Sequence, residues 1–521
     1  MRRIKPILAL ALALALTLTA CGSAGTASSA AASASSAKSN TLVYGSNDYT
    51  RINPALDEHG EINALLFDGL TGHDKDNQVV PRLAESWELD KATNTYTFHL
   101  RQDVTWHDGE KFTAEDVKFT IEAIQDPKNE SENASNYEDV EKITVVDDHT
   151  VKFQLAEPNY AFLDYMTMAI LPKHLLEGKD MQTDDYFRHP VGTGPYKLAS
   201  WDAGQAITLV RNEDYFRGKA HIETIIFRIV PDSNAKALQL KSGELNLSQV
   251  TPKDAKTFAD AKGQTVYEMK TSDYRGILYN FGNEYWQKNA DLIPAFNYAI
   301  DRQAMIDAVL LGAGEVAYGP LQRNIYNCED VEHYDYDPNK AMKTLEAAGC
   351  TKGKDGFYYR DGQKVGFVIS VGAGDQVRLD MAQIAAQQLK AVGVDVTVDV
   401  PAQVDWGGQE AYLIGWGSPF DADDHTYKVF GTGKGSNYSS YSDKLVDQYL
   451  TEARQTDDTQ KRKEAYAKFQ KELAKNPAYT FFCYIDAFYV ADNNLKGITP
   501  ETVLGHHGVG IFWNVLDWTL E

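Results

Sequence analysis

The sequence predicts an α/β protein of two lobes, and three observations carry that prediction. After a low-complexity leader the chain still has residues 41–521, more than one hydrophobic core usually supports, so at least two domains are expected. The first half reads mostly as strands and the second mostly as long helices, which makes two differently built lobes of mixed elements. Within the second half, 366–370, 378–392 and 394–398 form a strand–helix–strand unit that should bring parallel strands together. A hydrophobic content of 43% with 11% aromatics suits a packed interior. No internal repeat is visible.

The leader comes first. Met1-Arg2-Arg3-Ile4-Lys5 carries positive charge, residues 7–20 are an unbroken small or apolar run, and Cys21-Gly22 follows at once. Such a segment is an export signal and not part of the fold. The run is shorter than the roughly 20 residues that span a bilayer. Leu18-Thr19-Ala20-Cys21 resembles the lipobox of bacterial lipoproteins, which implies that Cys21 becomes the acylated N-terminus. Residues 22–40 are almost all Ser, Ala, Gly and Thr and behave as a flexible tether reaching roughly 25 Å. The expectation is thus a signal peptide over 1–20, an acylated cysteine and tether over 21–40, and a body held outside the membrane. Loss of Arg2, Arg3 and Lys5 from 51 basic side chains leaves 48 against 74 acidic ones, a formal charge of −26. That charge opposes binding to nucleic acid or anionic lipid heads. No later run approaches 18 apolar residues.

Along the body, 41–45 reads as the first strand and 96–100 alternates as a half-buried strand does. Thr113-Ala114-Glu115-Asp116 is a helix start, with acids in the first turn and Val117, Ile121 and Ile124 on one face. Strands recur at 150–155, 206–211 and 225–230, and helical patterns at 292–311, 338–348, 378–392 and 445–475. Gly393 stands where a helix needs a left-handed cap. The candidate strand 410–416 leads into the loop Gly417-Ser418-Pro419-Phe420-Asp421, and loops at the carboxyl ends of parallel strands favour ligands. Cys328 and Cys350 are candidates for a disulfide in an extracellular setting, a pairing that sequence leaves open; Cys483 reads as a buried small hydrophobe.

Several ordered blocks resemble family 5 of the solute-binding proteins that serve ABC importers, the oligopeptide, dipeptide and nickel group. They are Pro81-Arg82-Leu83-Ala84-Glu85-Ser86-Trp87, Tyr96-Thr97-Phe98-His99-Leu100-Arg101, Val104-Thr105-Trp106-His107-Asp108-Gly109-Glu110 and Thr113-Ala114-Glu115-Asp116-Val117. Val191-Gly192-Thr193-Gly194-Pro195-Tyr196 with Arg211-Asn212, then Ala299-Ile300-Asp301-Arg302, complete the set. The resemblance implies a two-lobed periplasmic-binding-protein-like fold (type II, cluster C-like) whose lobes close over a ligand about a two-stranded hinge. It implies lobe I over 41–273, lobe II over 274–483 and a return to lobe I over 484–521, with crossovers near 274–279 and 478–489. It further implies a monomeric receptor, not an enzyme and without a cofactor. Such a receptor delivers its solute to a permease whose partner subunits hydrolyse ATP.

The implied ligand is a short peptide first and a nickel ion or nickel chelate second. In peptide binders of the family an aspartate after a Gly-Trp strand end holds the ammonium, which points to Asp421 beside Trp416, although the spacing departs from the dipeptide pattern. Trp416-Gly417-Ser418-Pro419-Phe420-Asp421 is also similar to a stretch in nickel and metallophore binders. Imidazole is the usual protein ligand for such a metal, so His425, His506 and His507 are candidates. The bland alternatives are that Asp421 and Asp423 cap a turn and that His506-His507 is a solvated turn between glycines. Tyr44, Trp106, Trp406 and Trp416 are candidate cleft aromatics, Arg378 a candidate for a ligand carboxylate, and Asn47 and Asp48 candidate contacts after the first strand. A secreted hydrolase is the remote alternative, but no Gly-x-Ser-x-Gly elbow or His-Glu-x-x-His helix occurs.

Overall fold

The structure, a computed structural model, describes residues 40–57 and 60–521. Cys21 and tether residues 22–39 lie outside the described residues. An eleven-stranded sheet runs through both lobes. In chain order its strands are β1 (Thr41–Ser46), β2 (Tyr196–Asp202), β3 (Ala206–Arg211), β4 (Thr224–Ile229), β5 (Leu247–Val250) and β6 (Gln264–Tyr279). They continue with β7 (Gly314–Val316), β8 (Gly366–Ser370), β9 (Asp395–Asp399), β10 (Ala411–Trp416) and β11 (Tyr479–Asp492). Side by side they run β9-β8-β10-β6-β11-β5-β1-β4-β3-β2, with β7 added on β11.

The centre of that order is the joint between the lobes. β6 and β11 pair antiparallel from Gln264 opposite Asp492 to Leu278 opposite Tyr479. Lobe I attaches through β5 on Phe488 to Ala491 of β11, and lobe II through β10 on Tyr274 to Tyr279 of β6. Residues 274–279 lie in β6 and 479–489 in β11, and the borders expected at 273 and 483 fall inside these strands. In lobe II the period of two sends Ile277 and Tyr279 into a cluster with Trp286, Phe367 and Leu389. Tyr274 and Leu278 enter another cluster with Phe430, Tyr466 and Phe469. Both faces of the ribbon are therefore covered by helices, as a near-continuous apolar run requires.

The ribbon breaks where the site will form. Its register shifts between Lys270 and Tyr274 and again between Arg275 and Gly276. Backbone groups freed by the shift find side chains. Thr271 Oγ1 donates to the Ile485 carbonyl at 2.7 Å, and Arg323 Nη1 donates to the carbonyls of Thr271 (2.9 Å) and Ile485 (3.2 Å).

A second, four-stranded antiparallel sheet in lobe I is formed by Ala84–Asp90, Thr95–Leu100, Thr150–Leu155 and Val140–Asp147. The helix Ala114–Gln125 packs on it, opened by a capping box in which the Thr113 amide donates to Asp116 Oδ2 at 2.9 Å. Trp106 belongs to this lobe's core: it is 1% exposed and packs edge-on against Phe112, so it does not line a cleft.

Three further expectations change. The pattern 292–311 is not one helix but Ile293–Ala299 and Arg302–Val309, because Ile300 turns extended and Asp301 caps the second helix by accepting from the Ala304 amide. The pattern 445–475 divides into Lys444–Arg454 and Thr459–Lys475, the latter capped by Asp458. Cys328 and Cys350 are both free thiols, Cys350 being packed in the lobe II core. Among the described residues no helix is long and apolar enough to cross a membrane.

Candidate ligand site at the interlobe hinge

Where β6 leaves register with β11 it pairs instead with the C-terminal segment. The Ser272 amide donates to the Leu504 carbonyl at 3.0 Å, and the Leu504 amide to Lys270 at 2.9 Å. That lays the turn 505–509 over Asp273, which is fully buried. Oδ1 of Asp273 pairs with Arg275 and with Nδ1 of His506 at 2.8 Å, and Oδ2 accepts from the His507 amide at 3.0 Å. One ligand atom from each of Asp273, His506 and His507 can be chosen so that all three lie within 4.8 Å of one another.

Positive charge surrounds this group. Asp273 and Arg275 are two apart in a strand and so share a face, and Arg378 approaches from the first turn of the helix Gln376–Ala391. Gly415 makes the room: a Cβ there would stand 2.8 Å from Arg378 Nη2 and nearer still to Arg275. Burial would raise the pKa of Asp273, but Arg275 and His506 outweigh it and hold the carboxyl well below the usual range. Burial lowers Arg378, Arg275 adds to that, and Asp375 opposes both. His507 is exposed as a residue, yet desolvation of its ring and the neighbouring His506 lower its pKa against the pull of Asp273. A neutral imidazole keeps a lone pair for a metal.

Several buried polar atoms here have no hydrogen-bond partner among the described residues. Arg275 Nε and Trp416 Nε1 are buried without a hydrogen bond, and Arg378 Nε lies 3.3 Å from Asp375 Oδ2 without hydrogen-bond alignment. Trp416 stands edge-on to His506 with ring centroids 6.1 Å apart, and Tyr438 and Trp406 extend the wall behind it. Guanidinium and indole N–H groups converging on imidazoles suit a small anion-bearing metal complex: carboxylate to the arginines, metal to the histidines.

The structure distributes the remaining candidates elsewhere. Asp421 is engaged inside its own lobe: Arg462 grips both its oxygens at 2.6 and 2.7 Å, and it caps a short helix by accepting from the Asp423 amide at 2.9 Å. Its carboxylate is therefore paired within lobe II. His425 is 3% exposed with Nε2 on the Pro320 carbonyl at 3.2 Å, away from the three-residue donor group. Tyr44 is buried against Glu61, and Asn47 accepts from Lys236 at 3.1 Å. Of the named candidates, Trp416, Arg378, His506 and His507 come together. Asp273 and Arg275 were missed, because their role depends on the distant turn 505–509, which no local pattern around them marks.

The lobes are closed on each other. Phe420 stacks on His73 with centroids 3.8 Å apart, Tyr165 donates to Asp423 at 2.6 Å, and Arg454 pairs with Asp139 at 2.9 Å. Cavities of about 250 and 330 Å³ flank Phe420 between the lobes. A separate cavity of about 490 Å³ lies in lobe II beside Tyr318 and Tyr334. None of these three cavities is lined by the converging donors, but the one of about 250 Å³ reaches Gly505 and Val509 of the histidine turn.

The model of the bacterial extracellular solute-binding proteins, family 5, matches residues 78–438. The chain belongs to this family. It is an extracytoplasmic binding protein of an ABC importer and not an enzyme. Among curated relatives, Protein XP55 of Streptomyces lividans is 32% identical over 89% of this chain and 87% of its own. The oligopeptide-binding protein AppA of Bacillus subtilis is 30% identical over 89% and 88%. Its structure in complex with a nonapeptide superposes at a TM-score of 0.81 with 28% identity, covering 92% of this chain and 99% of that one. NikZ from Campylobacter jejuni, in complex with Ni(L-His), superposes at 0.85 with 36% identity, covering 92% and 99%. These two-lobed structures share the fold of this family 5 protein.

Proposed function

We propose that this family 5 protein captures a small nickel chelate, a metal ion carried by a carboxylate-bearing amino acid, and delivers it to its permease. The carrying observation is the hinge group: Asp273, His506 and His507 with ligand atoms within 4.8 Å, beside Arg275 and Arg378. Arg378 and Arg275 receive the carboxylate, the imidazoles complete the metal's coordination, and Trp416 covers the complex. The likeness to a NikZ crystallised with Ni(L-His) supports the same reading. Titration calorimetry of Ni(II) with L-histidine tests it. Binding is expected for the chelate, with His506→Ala at least tenfold weaker, about 1.4 kcal/mol. Equal affinity in His506→Ala and Arg378→Ala counts against it.

A short peptide is the second reading, supported by the likeness to AppA with its nonapeptide and by the aromatic wall of Trp416, Tyr438 and Trp406. It loses ground because Asp421 is committed to Arg462 and because interlobe cavities of about 250 and 330 Å³ sit at the low end of small-molecule sites. A lipid on Cys21 tethers the monomer to the membrane in this proposal. Radiolabelled palmitate should mark the wild type, and Cys21→Ser should release unlabelled protein.

A further inference from the structure

The turn that carries the two histidines sits in a conformation that backbones rarely choose. His507 has φ 57° and Gly508 φ 74°, two consecutive left-handed residues, and histidine persists there only when surroundings over-determine it. The turn is pressed against β5 and β11. A Cβ on Gly508 would stand 2.7 Å from Ala487 Cβ and 2.8 Å from Gln249 Nε2.

Three backbone groups of the turn are pinned from outside it. The His507 amide donates to Asp273 Oδ2, and Gln249 Nε2 donates to the His507 carbonyl at 3.0 Å. Tyr489 Oη donates to the Gly508 carbonyl at 2.9 Å. The same Tyr489 oxygen lies 2.7 Å from Glu61 Oε1, while Glu61 Oε2 accepts from Tyr44. A phenol has one proton, so with Gly508 taking it the Glu61 contact closes when Glu61 is the donor. A protonated Glu61 then accepts from Tyr44, donates to Tyr489 and so orients the hydroxyl at Gly508. Burial, which raises the pKa of Glu61 against Tyr44, Tyr489 and Lys236, agrees with this arrangement.

We propose that Glu61 and Tyr489 are positioning residues for the ligand: a relay from lobe I through β11 to the Gly508 carbonyl that fixes the His506–His507 turn for metal binding. The relay rests on the chelate reading above. It touches no ligand itself; it sets where the two imidazoles stand.

The test uses the full chain with Ni(II) and L-histidine as probe. Tyr489→Phe removes one hydroxyl; binding at least tenfold weaker is expected, with a shifted nickel d–d absorption band and a ligand-free melting temperature near that of wild type. Glu61→Ala should lose as much. Glu61→Gln should recover most of it, because its amide donates to Tyr489 and accepts from Tyr44 as protonated Glu61 does. If Tyr489→Phe does not fold, the Glu61 pair decides. Undiminished affinity in Tyr489→Phe, or Glu61→Gln as weak as Glu61→Ala, overturns the relay alone. A wild type that does not bind the probe overturns the chelate reading and the relay with it.

Discussion

The loop 417–425 and the turn 505–509 look alike as sequence, both short, glycine-bearing and rich in groups that bind ligands, yet they do opposite work. In the loop every acid is committed. Asp421 is held by Arg462, Asp423 by Tyr165 and Arg454, and Asp424 by Lys428 at 3.2 Å. Those partners come from lobe I and from lobe II helices, and their effect is to shape the loop and dock it on lobe I. In the turn, by contrast, one buried aspartate aligns two imidazoles beside two arginines, and the donors converge. The difference lies in where the partners come from, so the local motif does not reveal it.

The largest effect that would break this contrast is on stability. Arg462 and Asp421 side chains are 8% and 9% exposed. Arg462→Met leaves a buried carboxylate unpaired and should cost about 3–5 kcal/mol in urea unfolding. A loss below about 1 kcal/mol would return Asp421 to the list of free ligand groups.

A pH effect of similar size should come from lobe I. Burial lowers the pKa of His107 to about 4, its Nδ1 accepting from the Gly192 amide and its Nε2 donating to the Gly194 carbonyl, each at 3.1 Å. The unfolded chain takes up that proton near pH 6.5 while the folded one resists it, so stability falls as pH drops from about 6.5 to 4. The loss is about 3 kcal/mol at most. His107→Gln should flatten this part of the pH profile; an unchanged profile would mean that His107 is charged in the folded protein.

Smaller again is the effect on affinity. Arg378→Ala should weaken Ni(II)–histidine binding at least tenfold, about 1.4 kcal/mol, and leave unfolding nearly unchanged, the reverse of Arg462→Met. Loss of stability without loss of affinity would make Arg378 another loop-type residue. The smallest effect is Cys328→Ser. With both thiols free the change should stay within about 0.5 kcal/mol, whereas removing a native disulfide would cost about 2–5.

What could be read in advance was local or periodic. The capping box at Thr113, the left-handed Gly393 at φ 91° and the parallel pairing of 366–370 with 395–399 all stand in the structure. The break at Ile300 was hidden because the apolar period continues across it, and only the Asp301 cap and the buried Arg302 guanidinium end the first helix. For the site, Arg378 and Trp416 were readable from their places at a helix start and a strand end. Asp273 was not, because its role depends on a register shift and on a turn more than 200 residues downstream.

Nickel capture by the hinge histidines is tested by X-ray absorption at the nickel edge of the full chain loaded with Ni(II) and L-histidine, then desalted. Retained nickel with imidazole scattering beyond that of the free histidine complex is expected, and its loss in His506→Ala. A spectrum identical to nickel–histidine in buffer, or no nickel left after desalting, would contradict it.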